Sequence, residues 1–179
     1  MDDDPFSLLG VEPRFDLDAA DVRMRLVRMS ASLHPDRAAD PIQAQECSAR
    51  LAALNAAGRI LENDEQRAEA LLRVLGGPSA HEDRSLPDGF LQDILATRME
   101  LEEVLQSDDE AGLARMESWA HEQRQEYLQR VGALFGENPA KATPEDLLRI
   151  RTTLNTWRYI ERMIEQLHPS PDTGLEGLD

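Results

Sequence analysis

Apolar side chains recur along this chain at spacings of three and four residues, which places them on single faces of α-helices. Val22, Leu26, Met29 and Leu33 follow Asp18, a good N-capping residue, and predict an amphipathic helix over 18–33 that stops at Pro35. Cys47, Leu51, Leu54, Gly58 and Leu61 repeat the rhythm and predict a second helix over about 42–62, long enough to pack antiparallel on the first. On that stripe Cys47 reads as a buried small hydrophobe. Short helices flank this hairpin, one at 5–9, where Pro5 suits a first turn, and one at 65–75, ending at Gly76-Gly77. Three longer helices follow, over about 88–106, about 109–135 and 144–167. Leu113, Met116, Ala120, Tyr127, Val131 and Leu134 form the inward stripe of the middle one. The last opens with Thr143-Pro144-Glu145-Asp146, which supplies a cap, a first-turn proline and early acids, and turns Leu147, Ile150, Leu154, Trp157 and Ile164 inward.

Punctuation divides this series. Gly76-Gly77-Pro78-Ser79 and the polar residues up to Pro87 form a linker over 78–87, separating a helical unit at 1–77 from a second at 88–168. A shorter break, Gly136-Glu137-Asn138-Pro139, separates two helices of the second unit. Three helices with short connections imply an antiparallel three-helix bundle. The tail at 169–179, rich in Pro, Gly and Asp, is expected to be disordered. Aromatic residues make up only 4%, while Leu, Ala, Arg, Glu and Gln abound, so the whole chain reads as all-α.

Composition narrows the function classes. A net charge of -16 argues against wholesale binding of nucleic acid or of anionic membrane, both of which reward cationic surfaces. The acidity is concentrated late, with 21 acidic and 10 basic residues from position 81 onward against 14 and 9 before it, so a local basic face in the first unit stands out. A lone cysteine excludes an internal disulfide and fits a reducing compartment. Met1-Asp2-Asp3-Asp4 has neither signal-peptide nor transit-peptide character, and no window approaches the roughly 20 apolar residues that span a bilayer, so the cytoplasm is the expected address. His34, His81, His121 and His168 lie in separate elements without ligand spacing, and neither a metal nor another cofactor is expected.

The most distinctive chemistry is His34-Pro35-Asp36-Arg37, in the turn between the two hairpin helices. By itself it could be a helix-terminating turn with a solvated aspartate, or a dyad in which Asp36 orients His34 as a general base. Adjacent turn residues flanking a proline seldom reach dyad geometry, and neither a glycine-rich phosphate loop nor a nucleophile elbow occurs elsewhere, so no catalytic residue is assigned. The surroundings point elsewhere. A short helix with Phe6-Ser7-Leu8-Leu9-Gly10-Val11, a helix carrying Arg23, Arg25 and Arg28, the His-Pro-Asp turn, a long helix and then Gln66-Arg67-Ala68-Glu69-Ala70-Leu71-Leu72 together resemble the J domain over about residues 4–76. That resemblance implies docking on a DnaK-type chaperone and stimulation of its ATPase, with His34, Pro35 and Asp36 as the essential turn and Arg23, Arg25, Arg28 and Arg37 as cationic contacts. Arginine suits this task, because its charge is permanent and its planar fork binds carboxylates bidentately.

Residues 86–106, read with the J domain in front of them and Trp157-Arg158-Tyr159-Ile160 behind, resemble the HscB family of iron–sulfur co-chaperones, to about residue 167. The resemblance implies a C-terminal bundle that binds the cluster scaffold IscU and delivers it to an HscA- or DnaK-type chaperone, with Leu91, Gln92, Leu95 and Tyr159 at the scaffold-binding positions. Helical geometry bears on the same residues. Phe90, Ile94, Leu101 and Val104 form a core stripe, whereas Leu91 and Leu95 fall about 100° round the helix, in a row continued by Arg98 and Glu102. Tyr159 lies about 200° from Trp157, with Met163 beside it. These side chains either form an exposed apolar patch for a partner or are swallowed by a broad core. Two departures from the family pattern concern the fold. Gly58 stands where an aromatic usually packs, and Asn63-Asp64 stands where an Asp-Pro or His-Pro pair is common. The paired-cysteine element of some eukaryotic members is absent. The expectation is a non-enzymatic co-chaperone; a J-domain adaptor for a different client and a hydrolase using His34 and Asp36 remain as alternatives.

Overall fold

The computed structural model describes residues 4–33, 40–107 and 109–167, and among them the only regular elements are helices. In order they are α1 (Pro5–Leu9), α2 (Ala19–Ser32), α3 (Pro41–Glu62), α4 (Asp64–Val74), α5 (Phe90–Gln106), α6 (Glu110–Phe135), a 3-10 turn (Pro139–Lys141) and α7 (Pro144–Leu167). Asp4, Asp18, Asp40 and Asp109 cap α1, α2, α3 and α6, each accepting a backbone N–H with a side-chain oxygen. Asn63 has two roles. It ends α3 in an extended conformation, and its side chain accepts the Gln66 N–H to open α4, so the stop that a proline often provides is made here by an asparagine.

In the first unit α1 and α2 pack on α3, and α4 continues beyond the Asn63 break. Phe6, Leu9, Val22, Leu54, Ala57, Leu61, Leu71 and Leu72 form the core. Gly58 is buried within it, and a Cβ added there would stand 2.7 Å from Leu26 Cδ2; the room usually taken by an aromatic is filled by the leucine opposite. The buried residues of α3 all lie in its last three turns, and the buried residue of α2 is Val22, near its start. Among the described residues the far end of the hairpin therefore consists of α2 and α3 alone, and Cys47 is half-exposed instead of buried as its stripe predicts.

The second unit is organised around α7, which packs on α6, α5 and α4. Contact on three sides buries not only Leu147, Ile150, Leu154, Trp157, Ile160 and Ile164 but also Arg151, Asn155 and Thr156. On α6 the inward stripe includes Met116, Ala120, Tyr127 and Val131 as predicted, but its ends shift: Leu113 is exposed, Leu134 is partly buried, and Phe135 takes the core position. The two units meet along α4 and α7. Arg151 Nη1 and Nη2 donate to Glu69 at 2.6 and 2.5 Å while Nε donates to Asn155 Oδ1, and Arg158 bonds Glu65 at 3.2 Å. Asn155 Nδ2 donates in turn to the Asp83 and Ser85 carbonyls at 3.1 and 3.0 Å, tying the connecting segment to α7. A second contact comes from the loop before α2, where Phe15 stacks on Phe135 with ring centroids 5.8 Å apart. Phe15 is held from below by Arg67, whose guanidinium lies 5.1 Å from the ring and donates to the Phe15 and Leu61 carbonyls and to Asp64.

Candidate functional site

Two exposed surfaces carry the residues singled out by sequence. The first is the outer side of α2. Its capped N-terminus and the burial of Val22 set the helix rotation, leaving Arg23, Arg25 and Arg28 exposed. Arg23 Nε lies 3.2 Å from Glu62 on α3, and Arg25 Nη1 donates to the Gly10 carbonyl at 3.0 Å, so both are steadied by neighbouring elements. Among the described residues Arg28 donates to Met24 Sδ, at 3.2 Å. Between these cations stand Met24 and Val27, 44% and 68% exposed, which gives the face an apolar strip with cationic borders. That combination fits a partner that is acidic and also buries some apolar area. His34, Pro35, Asp36 and Arg37 lie outside the described residues, as do His168 and the tail at 169–179.

The second surface is built where the first turns of α5 pass α7. Gly89, with φ of 82°, starts α5 in the left-handed region, and its carbonyl accepts the Gln92 and Asp93 N–H groups. From this start Leu91 and Leu95 project to solvent at 55% and 56% exposure, with Gln92 exposed between them. Tyr159, 38% exposed, meets Phe90 edge to face, with centroids 5.8 Å apart and planes at 76°. This contact brings Tyr159 to the turn of α5 that carries Leu91. Phe90 and Ile94 are half-buried, because α5 packs more lightly than α6 on the rest of the bundle. Met163 does not join the patch: α7 is enclosed on three sides, and Met163 is 4% exposed. Met99 does belong to it, at 63% exposure one turn beyond Leu95. Its signal was the even four-residue spacing of Leu91, Leu95 and Met99. Beside the row Arg98 pairs with Glu102 at 3.0 Å.

Ion pairs tie α7 to α6 and α4. Burial disfavours the ionised Glu161 carboxyl, but hydrogen bonds from Arg124 at 2.9 and 2.5 Å and from Trp157 Nε1 at 2.9 Å outweigh it and hold the group below the usual carboxylate range. Glu65 shifts the other way: its burial between α4 and α7 raises its pKa despite Arg158. Among the described residues no group of three or more His, Cys, Asp and Glu side chains could hold a metal ion, and no helix is long and apolar enough to cross a membrane. The arrangement offers two surfaces for docking.

Comparison with known proteins covers both halves. Residues 86–168 match the family described as the HSCB C-terminal oligomerisation domain. The fold is similar to that of the human co-chaperone protein HscB, with a TM-score of 0.78 at 21% identity over 92% of this chain and 80% of that one. It is also similar to the chaperone HscB from Vibrio cholerae, with a TM-score of 0.71 at 20% identity over 92% of this chain and 94% of that one.

Proposed function

We propose that this chain belongs to the HscB family, on the match of residues 86–168 to its C-terminal domain and the likeness of the whole fold to HscB structures, and that it is a co-chaperone of iron–sulfur cluster assembly that joins a DnaK- or HscA-type chaperone to an IscU-type scaffold protein. In this reading residues 1–77 are a J domain, 78–87 a linker and 88–168 a scaffold-binding domain. His34, Pro35 and Asp36, with Arg23, Arg25, Arg28 and Arg37, engage the chaperone and promote ATP hydrolysis in it. Leu91, Gln92, Leu95 and Tyr159 hold the scaffold. The chain catalyses nothing itself; hydrolysis takes place in the partner.

The observation that carries the reading is the exposure of Leu91 and Leu95 beside a Tyr159 ring packed on Phe90. Large apolar side chains so placed cost solvation in the free protein and gain it back when a partner covers them. Coupling between the two ends follows from linkage. If scaffold and J domain both favour the chaperone state reached after hydrolysis, each strengthens the effect of the other.

The test is steady-state ATP hydrolysis by a DnaK-type chaperone from the same organism, with and without this protein, the scaffold and a His34→Gln variant. The expected result is stimulation that requires His34 and rises more than additively with scaffold. Stimulation without that synergy would retain the J-domain role and point to a different client. No stimulation of any such chaperone would overturn the proposal.

A further inference from the structure

Beneath Tyr159, where α4, α7 and the connecting segment meet, lies a cleft of about 730 Å³. Five arginines line it, Arg73, Arg84, Arg151, Arg158 and Arg162, against two glutamates, Glu65 and Glu69. Both glutamates are already engaged, Glu69 by Arg151 and Glu65 by Arg158. Arg73, Arg84 and Arg162 remain without a carboxylate partner among the described residues. Such a wall is unexpected in a chain of net charge -16, since neighbouring guanidinium groups repel each other unless an anion lies between them. It is also held in place. Asn155 fixes the backbone on either side of Arg84 through the Asp83 and Ser85 carbonyls, so this guanidinium is borne by a tethered segment. The volume exceeds what a single small ion needs and suits a few side chains of a peptide. Tyr159 lines the cleft and also packs on Phe90, so the cleft is continuous with the Leu91 and Leu95 row.

We propose that this arginine-lined cleft binds an acidic segment, rich in Asp or Glu, of the same protein that docks on Leu91, Leu95 and Tyr159. This deepens the scaffold-binding reading and rests on it. The apolar row supplies contact area, while the cleft supplies orientation and a salt-dependent contribution through forked guanidinium–carboxylate bonds.

Calorimetric titration of the scaffold into the full chain, at low and high salt, tests the proposal with two double variants, Arg84→Glu/Arg162→Glu and Leu91→Ala/Leu95→Ala. All four positions are exposed, and circular dichroism checks that both variants fold. The charge reversal is expected to weaken scaffold binding about tenfold at low salt and to flatten its salt dependence. If it binds like the parent at both salts while the leucine variant loses binding, the cleft proposal is overturned and the docking row survives. If neither variant alters binding, both readings fall. Inorganic phosphate supplies a third arm: binding in the cleft that leaves scaffold affinity untouched would assign the site to a free anion and overturn the proposal.

Discussion

Leu26 and Gly58 illustrate how one missing side chain is answered by another. The glycine removes a Cβ from the C-terminal part of α3, and Leu26 Cδ2 occupies the space. Gly58→Leu should therefore cost about 2 kcal/mol through overpacking, although it improves helix propensity. Adding Leu26→Ala should recover part of that loss, so the double variant is more stable than the sum of the singles predicts. Urea unfolding of the four proteins measures this coupling, and simple additivity would show that the two positions do not compete for space. The same scale shows where sequence reading ran short. Cys47 and Met163 occupy helical positions whose burial depends on how many neighbours surround the helix, and periodicity reports direction without reporting thickness. At the far end of the hairpin a stripe residue stays half-exposed; on the enclosed α7 an off-stripe methionine is buried. Leu91 and Leu95 were easier to read, because α5 has packing on one side only and its rotation decides exposure.

At the scale of elements, the chain's helices are nearly all written in caps and breakers. Asp18, Asp40, Asn63, Thr143 and Gly136 sit at boundaries within a residue or two of those predicted, since each supplies a local hydrogen bond or backbone conformation that needs no tertiary context. How the helices join is less legible, because it depends on long-range ion pairs such as Arg124 with Glu161, 37 residues apart. That pair, with Trp157, links α6 to α7 and has a pH signature. Glu161 titrates lower in the folded protein than in the unfolded chain, so its contribution is fully present above the unfolded carboxylate pKa and is lost as pH falls through its folded value. Glu161→Gln should destabilise the protein at neutral pH, and the difference from the parent should shrink once both are acidified below the ordinary glutamate range. Thermal unfolding across that range checks it; a deficit that persists unchanged in acid would show that packing, not charge, is lost.

For the whole molecule, the contact between the two units rests on an asymmetric pair. The Arg151 side chain is 1% exposed and that of Glu69 32%. Removing the glutamate strands a buried cation, whereas removing the arginine leaves a carboxylate that water can reach. Glu69→Ala is therefore expected to cost about 3 kcal/mol and Arg151→Met about 1 kcal/mol or less. Chemical denaturation followed separately by the tryptophans of the second unit and by hydrogen exchange in the first would also show whether the units unfold together. Equal losses for the two variants would contradict the asymmetry.

The central place of α7 also matters during synthesis. Among the described residues α1 to α6 all precede it, yet it completes the packing of α4, α5 and α6. Until the ribosome has delivered it, Glu65 and Glu69 lack their arginines, and the apolar sides of α5 and α6 are open to water. Chains grow at about 5–20 residues per second, so the 24 residues of α7 take a second or more to appear. The nascent chain thus passes through an interval with bare apolar surface, in which it is itself a candidate client for the class of chaperone it is proposed to serve.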